Sequence, residues 1–175
     1  GIVGVLFGFL PLTALSQKIG DYPLYKGEVD SQQPDWLLNE VKAKASFHQT
    51  ERGELVMSNG LISRVFNLDK GGATVGLDNL MTGENMLRSV RAEAMVEING
   101  ISLPVGGLQG QPIHNYLLES WIPDLKTDPG ALQLESFETR PTEARFAWKK
   151  RPEWMPIDIP WPAPGKKVVF TYSGT

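Results

Sequence analysis

Residues 54–68 read ELVMSNGLISRVFNL, and this stretch decides the fold class of the chain. Two apolar runs flank Asn59-Gly60, and both of these residue types accept the positive φ angles of a tight hairpin turn. A second such pair, Asn99-Gly100, joins an alternating run at 91–98 to a further run at 101–105. The sequence therefore predicts antiparallel hairpins.

Further short runs with strand character lie between glycine-rich turns. With the hairpin arms, the predicted strands are residues 54–58, 61–68, 73–80, 91–98, 101–105, 131–139, 144–149 and 166–173. Residues 35–45 have the spacing of a short amphipathic helix with Asp35 as its N-cap. We therefore predict a mainly β fold, an antiparallel β-sandwich of super-sandwich-like type with one or two short helices.

The N-terminus has the features of an export signal. Residues 1–15 carry no charge, and the small residues Ala14 and Ser16 precede Gln17 as at a signal peptidase site. The apolar run is shorter than the roughly 20 residues of a membrane span, so no span is expected in the mature chain. A buried glycine-rich strand is the alternative. The prediction is a secreted or periplasmic bacterial protein.

These observations divide the chain into three predicted segments. Residues 1–16 are predicted to be a signal peptide that lacks its usual positively charged start, and residues 17–53 a linker with the short helix. Residues 54–175 are predicted to form the β-sandwich domain, incomplete at its C-terminal end. Within it, residues 151–165 hold five prolines, which keep such a run out of a sheet ladder.

Composition excludes several functional classes. The chain has 17 Lys and Arg against 20 Asp and Glu, a formal net charge of −3, two His and no Cys. Nucleic acid binding needs a concentrated basic face, which this balance does not favour. The absence of Cys excludes thiolate metal sites and Cys nucleophiles, and two His do not favour a His-rich metal site. We predict no metal, no cofactor and no nucleic acid partner.

No catalytic residue emerges from the motifs. Glu93 and Glu97 share one face of a predicted strand at a separation of about 13 Å, from ~3.3 Å per residue. Paired glycosidase carboxylates lie about 5–10 Å apart. The two side chains are therefore predicted to be solvated charges on the strand surface rather than an acid/base couple.

The aromatic residues carry the binding hypothesis. Trp148, Trp154 and Trp161 fall within one short stretch, and exposed indole rings can stack on the apolar faces of sugars. His114, in a glycine-rich region, is added as a candidate ligand contact. The alternative is that the Pro/Trp stretch seals one edge of the sandwich. Trp121 and Trp36 are predicted to lie on buried helix faces.

Four stretches carry a family resemblance: SNGLISRVF at 58–66, ATVGLDNLMTGE at 73–84, RAEAMVEING at 91–100 and VGG at 105–107. Together they resemble the N-terminal domain of large secreted bacterial glycoside hydrolases of the alpha-galactosidase type. In these enzymes a galactose-mutarotase-like super-sandwich precedes a (β/α)8 catalytic barrel. The resemblance covers about residues 54–150, and it implies that the catalytic carboxylates lie on a barrel that follows in the same chain.

The expected function is therefore that of a non-catalytic β-sandwich. It would support carbohydrate binding or the catalytic domain of a glycoside hydrolase, with carbohydrate and the following domain as its partners. A free-standing carbohydrate-binding module and a secreted structural or interaction domain are the alternatives. Fold alone does not choose between them.

Overall fold

The computed structural model describes residues 18–27, 37–38, 42–154 and 160–174. Their secondary structure is mainly antiparallel β, in one sheet of five strands and two of two strands. No helix in these residues is both long enough and apolar enough to cross a membrane. The predicted signal peptide lies outside the described residues.

The five-stranded sheet is built from consecutive antiparallel strands. Its strands in chain order and in sheet order are β1 (Ser46–Gln49), β2 (Leu55–Ser58), β3 (Ile62–Asn67), β4 (Ala73–Asn79) and β5 (Glu84–Asn85). Neighbours along the chain pair directly, which is what short turns rich in Asn and Gly produce. The central strands β2, β3 and β4 carry most of the buried positions.

The two Asn-Gly pairs make different turns. Asn99 and Gly100 both have positive φ, 53° and 81°, and form a two-residue turn between the paired Ile98 and Ile101. In the first hairpin Gly60 has positive φ, whereas the Asn59 side chain accepts hydrogen bonds from the backbone N–H groups of Leu61 and Ile62. Side-chain capping therefore replaces the expected backbone geometry there.

A second group of strands comprises two hairpins. β6 (Ala94–Ile98) pairs with β7 (Ile101–Val105), and β8 (Gln133–Pro141) pairs with β9 (Lys166–Ser173). A parallel bridge between Val105 and Leu132 connects the hairpins. The backbone N–H of Leu132 donates to Pro104 at 2.8 Å, and that of Gly106 donates to Leu132 at 3.0 Å.

The β8–β9 hairpin packs on one face of the five-stranded sheet. Phe47, Leu55 and Phe66 of the sheet are buried, and they contact side chains of both hairpin strands, namely Phe137, Val168 and Phe170. The rings of Phe66 and Phe170 meet edge to face, with centroids 5.1 Å apart. This layered arrangement is that of a sandwich, and it confirms the predicted mainly antiparallel β fold.

The opposite face of the sheet is covered by the connection between β7 and β8. This connection carries a 3-10 helix, Glu119–Asp124, whose flanking residue Leu125 is buried against Ala73 and Val75 of β4. Val90 and Leu108 complete the buried cluster. The apolar spacing of residues 114–126 predicts a helix that Pro123 would break. The structure has only a 3-10 helix in this region, and Pro123 lies within it.

Three expectations differ from the structure. Residues 17–53, predicted as linker and helix, supply β1, and residues 42–45 are not helical; most of the predicted helix lies outside the described residues. Residues 144–149 form no strand, whereas β8 continues through Pro141. The strand β1 could not be predicted from the sequence, because its four residues gain their strand conformation from pairing with β2.

Glu93 is not the solvated charge that the strand pattern predicts. Its carboxylate accepts hydrogen bonds from the Thr74 backbone N–H at 2.6 Å, the Thr74 hydroxyl at 3.0 Å and the Arg64 guanidinium at 2.8 Å. Thr74 belongs to β4 and Arg64 to β3, so one carboxylate ties the start of the β6–β7 hairpin to the five-stranded sheet. Glu97, by contrast, is exposed.

We expect Glu93→Gln to lower the free energy of unfolding by about 2 kcal/mol, because charge-assisted bonds to a neighbouring strand are weakened. The matched control is Glu97→Gln at an exposed position of β6, which should change stability by less than about 0.5 kcal/mol. Urea denaturation of the three proteins measures both values. Equal, small effects would contradict the tethering role of Glu93.

Candidate functional site

The most exposed aromatic group of the sandwich lies in the connection between β8 and β9, which we call the aromatic loop (residues 142–165). Hydrogen bonds close its base: the Thr142 backbone N–H donates to Gly165 at 3.2 Å, and the Thr142 hydroxyl donates to Ala163 at 2.6 Å. The two strands therefore hold the loop ends together. No described residue of the loop lies in a strand, as its proline content predicts.

Three rings of the aromatic loop contact one another. Trp161 meets Trp148 edge to face, with ring centroids 5.0 Å apart and planes at 62°, and it lies 5.4 Å from Phe146. These side chains remain accessible, at 59% for Phe146, 36% for Trp148 and 43% for Trp161. The cluster thus has internal contacts that orient the rings, together with solvent-facing ring surface.

Trp154 is separate from these ring contacts and is more exposed, at 78%. The guanidinium of Arg151 lies 5.4 Å from the centroid of its ring, a cation–π contact that supports one side of the indole. The Trp154 backbone N–H donates to the carbonyl of Arg151 at 3.1 Å, so a local turn brings the two residues together. The ring is thereby oriented without being buried.

His114 lies in a different connection, between β7 and β8. Its imidazole stacks on the rings of Tyr116 and Trp121, with centroids 5.0 Å and 5.5 Å away and interplanar angles of 19° and 27°. Tyr116 and Trp121 also stack on each other at 5.6 Å. Trp121, assigned from sequence to a buried helix face, is half-buried at the 3-10 helix.

The structure therefore groups the four predicted binding residues into separate sets. Trp148 and Trp161 touch, Trp154 stands beside Arg151, and His114 belongs to the stack with Tyr116 and Trp121. Among the described residues, no ring contact joins the His114 stack to the aromatic loop. Sequence reasoning did not select Phe146, Tyr116 or Trp121, because their ring contacts depend on how the two loops fold.

A cleft of about 340 Å³ lies near β4 and the 3-10 helix, lined in part by Asp78, Glu119, Glu54 and Arg52. Partial burial raises the pKa of the Asp78 carboxyl above its ordinary value of 3.8, and the nearby Glu119 charge raises this pKa further. A hydrogen bond from the fully buried Ser63 hydroxyl, at 3.1 Å, opposes the shift. Ionisation of the Asp78 carboxyl is therefore less favourable in the cleft than in the unfolded chain.

Replacing Asp78 should therefore change stability in a pH-dependent manner. Because its pKa is raised on folding, the ionised carboxylate destabilises the fold above that pKa, and the penalty disappears once pH falls below the unfolded value of 3.8. We expect Asp78→Asn to be modestly more stable than the parent at neutral pH and equally stable in acid.

Urea unfolding at a series of pH values measures this difference. Glu84 is exposed on β5, and Glu84→Gln therefore removes one surface charge and serves to correct for net charge. A neutral-pH loss of stability in Asp78→Asn, beyond that correction, would contradict the stated cause of the raised pKa.

No metal centre is evident in the part of the chain that the structure describes. No group of three or more His, Asp or Glu side chains there is arranged to hold a metal ion. The Glu93 carboxylate accepts hydrogen bonds that hold the β6–β7 hairpin, and the Asp78 carboxylate accepts a hydrogen bond from the Ser63 hydroxyl. The aromatic surfaces are thus the features of the sandwich with the clearest binding chemistry.

Comparisons of this chain with protein-family models, with curated proteins and with solved structures give no match. The resemblance to glycoside hydrolase N-terminal domains therefore stays a prediction from the quoted sequence stretches.

Proposed function

We propose that this chain is a non-catalytic β-sandwich that binds carbohydrate through the aromatic loop. The observation that carries the proposal is the set of exposed, mutually oriented rings of Phe146, Trp148 and Trp161, together with the highly exposed Trp154. Contiguous apolar surface that remains exposed to water often marks a binding site. The C–H faces of a pyranose ring match such surfaces in size and polarity.

The geometry supports a sugar more than a deep-pocket ligand. The indole of Trp161 and that of Trp148 stand at 62° to each other, so together they present two differently oriented surfaces rather than one flat platform. An extended glycan can contact both surfaces. The preference for carbohydrate thus depends on several shallow contacts, and we expect weak binding of a single sugar and tighter binding of an oligomer.

Within the larger enzyme that the resemblance implies, the domain would hold substrate for a catalytic domain in the same protein. We propose that this parent is an exported bacterial glycoside hydrolase, secreted or periplasmic, whose acid and base residues lie outside this chain. The alternatives are a free-standing carbohydrate-binding module and a secreted structural or interaction domain. Retention on glycan without turnover supports a carbohydrate-binding role, either within a larger enzyme or as a free-standing module. Binding to a protein partner, with no retention on glycan, supports the structural or interaction domain.

We expect Trp154→Ala and Trp161→Ala each to reduce retention on immobilised polysaccharide by about 5-fold to 150-fold, since loss of an aromatic stacking surface costs about 1–3 kcal/mol. Affinity electrophoresis in gels containing galactan, mannan, xylan or glucan measures the retention. Met95→Ala is the matched control, because Met95 is 61% exposed on the β6–β7 hairpin and has no ring. Its retention should equal that of the parent.

Unchanged retention in both tryptophan variants, or no retention of the parent on any of the polysaccharides, would contradict the proposal. The purified chain should also release no chromophore from aryl-galactosides. Turnover that survives repurification would overturn the non-catalytic assignment.

A further inference from the structure

We propose that Asn99 is a site of spontaneous deamidation, and that the fold protects the other Asn-Gly pair, Asn59-Gly60, from the same reaction. The inference does not depend on the proposed carbohydrate function. The two Asn-Gly dipeptides are identical in sequence but lie in contrasting surroundings.

The reaction needs a free backbone nitrogen and a free side-chain amide. The nitrogen of Gly100 attacks Cγ of Asn99, so that an N–Cγ bond forms while the Cγ–Nδ2 bond breaks and ammonia leaves with the nitrogen's proton. Water then opens the cyclic imide at either carbonyl, giving aspartate or isoaspartate. Glycine favours the attack because it has no Cβ to obstruct the approach. No electrons are transferred.

Among the described residues, no hydrogen bond restrains the two groups that react at Asn99-Gly100. Asn99 is exposed at the tip of the β6–β7 hairpin, and within the described residues its side chain makes no hydrogen bond. The backbone N–H of Gly100 is likewise without a partner there, and a Cβ built on Gly100 would meet no atom within 4 Å. The turn therefore has room for the rotation that brings nitrogen to Cγ.

At Asn59 both reacting groups are held. The side-chain Oδ1 accepts hydrogen bonds from the backbone N–H groups of Leu61 at 3.0 Å and Ile62 at 2.9 Å. The backbone N–H of Gly60 donates to the buried Ser58 hydroxyl at 3.2 Å, and Gly60 packs closely against Ala43. Attack at this position requires these contacts to open first.

The products would alter the hairpin. Aspartate adds a negative charge two residues from Glu97, whereas isoaspartate inserts an extra backbone carbon into a two-residue turn. The longer turn cannot keep Ile98 opposite Ile101, a pairing that the present register requires. We therefore expect isoaspartate at Asn99 to loosen β6–β7 pairing first at its tip.

The test is incubation of the full chain at physiological temperature and mildly alkaline pH, with peptide mapping by mass spectrometry at intervals. We expect Asn99 to deamidate about tenfold faster than Asn59, because the bonds at Asn59 must break before reaction. In concentrated urea the two rates should become similar. A native rate at Asn59 equal to or above that at Asn99, no reaction at Asn99, or a difference that persists in urea would each overturn the inference.

A single substitution tests the assigned protection directly. Ser58→Ala removes the hydroxyl that accepts from the Gly60 N–H and should raise the Asn59 rate severalfold while leaving the Asn99 rate unchanged. Chemically prepared Asn99→Asp protein provides the reference for the aspartate product. An Asn59 rate that Ser58→Ala does not change would contradict the role given to Ser58.

Discussion

Gly107→Ala is expected to unfold much of the protein, with a loss of about 3 to 5 kcal/mol in the free energy of unfolding. Gly107 has a φ of 78°, a conformation that costs a residue with a side chain, and a Cβ there would overlap the Arg91 carbonyl and Cα of Ala92. Both obstacles are backbone atoms, which cannot rotate away as a flexible side chain can. The position lies just after β7, where the chain leaves the hairpin.

Gly100→Ala is the control that separates backbone strain from steric overlap. Gly100 has nearly the same φ, 81°, but open space around its Cβ position, so we expect a loss of only about 1 to 2 kcal/mol. Thermal and urea denaturation of both variants give the comparison. Similar losses in the two proteins would mean that the close approach at Gly107 does not constrain the fold.

Phe66→Ala should cost about 3 to 5 kcal/mol, because the ring is 4% exposed at the junction of the two β layers. Its centroid lies 5.1 Å from that of Phe170 on β9, and the Arg64 guanidinium lies 4.7 Å from the ring. Removing the ring leaves a cavity between the five-stranded sheet and the β8–β9 hairpin. The melting temperature and the free energy of unfolding in urea measure the loss.

Phe146→Ala is the matched control for the same chemical change at a surface. Phe146 is 59% exposed and touches Trp161, so its loss should alter stability by less than about 0.5 kcal/mol. It should nevertheless weaken glycan retention by disturbing Trp161. A Phe66→Ala protein as stable as Phe146→Ala would contradict the packing of the hairpin on the sheet.

The strands around the Asn-Gly pairs could be predicted from sequence because their information is local. Asn99-Gly100 specifies a two-residue turn, and the alternating run before it specifies a strand. The alternation also predicts that one face of this strand is buried, and that is wrong, because four of the five residues of β6 are exposed. β1 could not be found this way, since its short sequence becomes a strand through pairing with β2 and a backbone bond from Gln49 to Pro23. The 3-10 helix at Glu119–Asp124 likewise depends on its packing over β4.

The candidate site was predictable only in part. Trp148, Trp154 and Trp161 lie within one short stretch of the chain, and the structure shows that Trp148 and Trp161 make contact. The stack of His114 on Trp121 was not predictable, because it depends on how the β7–β8 connection folds over the sheet. Glu93 was misassigned because strand periodicity says nothing about the donors on neighbouring strands, here Thr74 and Arg64.

The binding role of the aromatic loop is tested most directly by following the indole N–H resonances of the chain by NMR while soluble galactan, mannan, xylan and glucan oligosaccharides are added in turn. At least one of these sugars should shift the signals of Trp154 and Trp161, assigned through their Trp→Ala variants, in a saturable manner. Titrations in which no sugar moves either signal would contradict the proposed function.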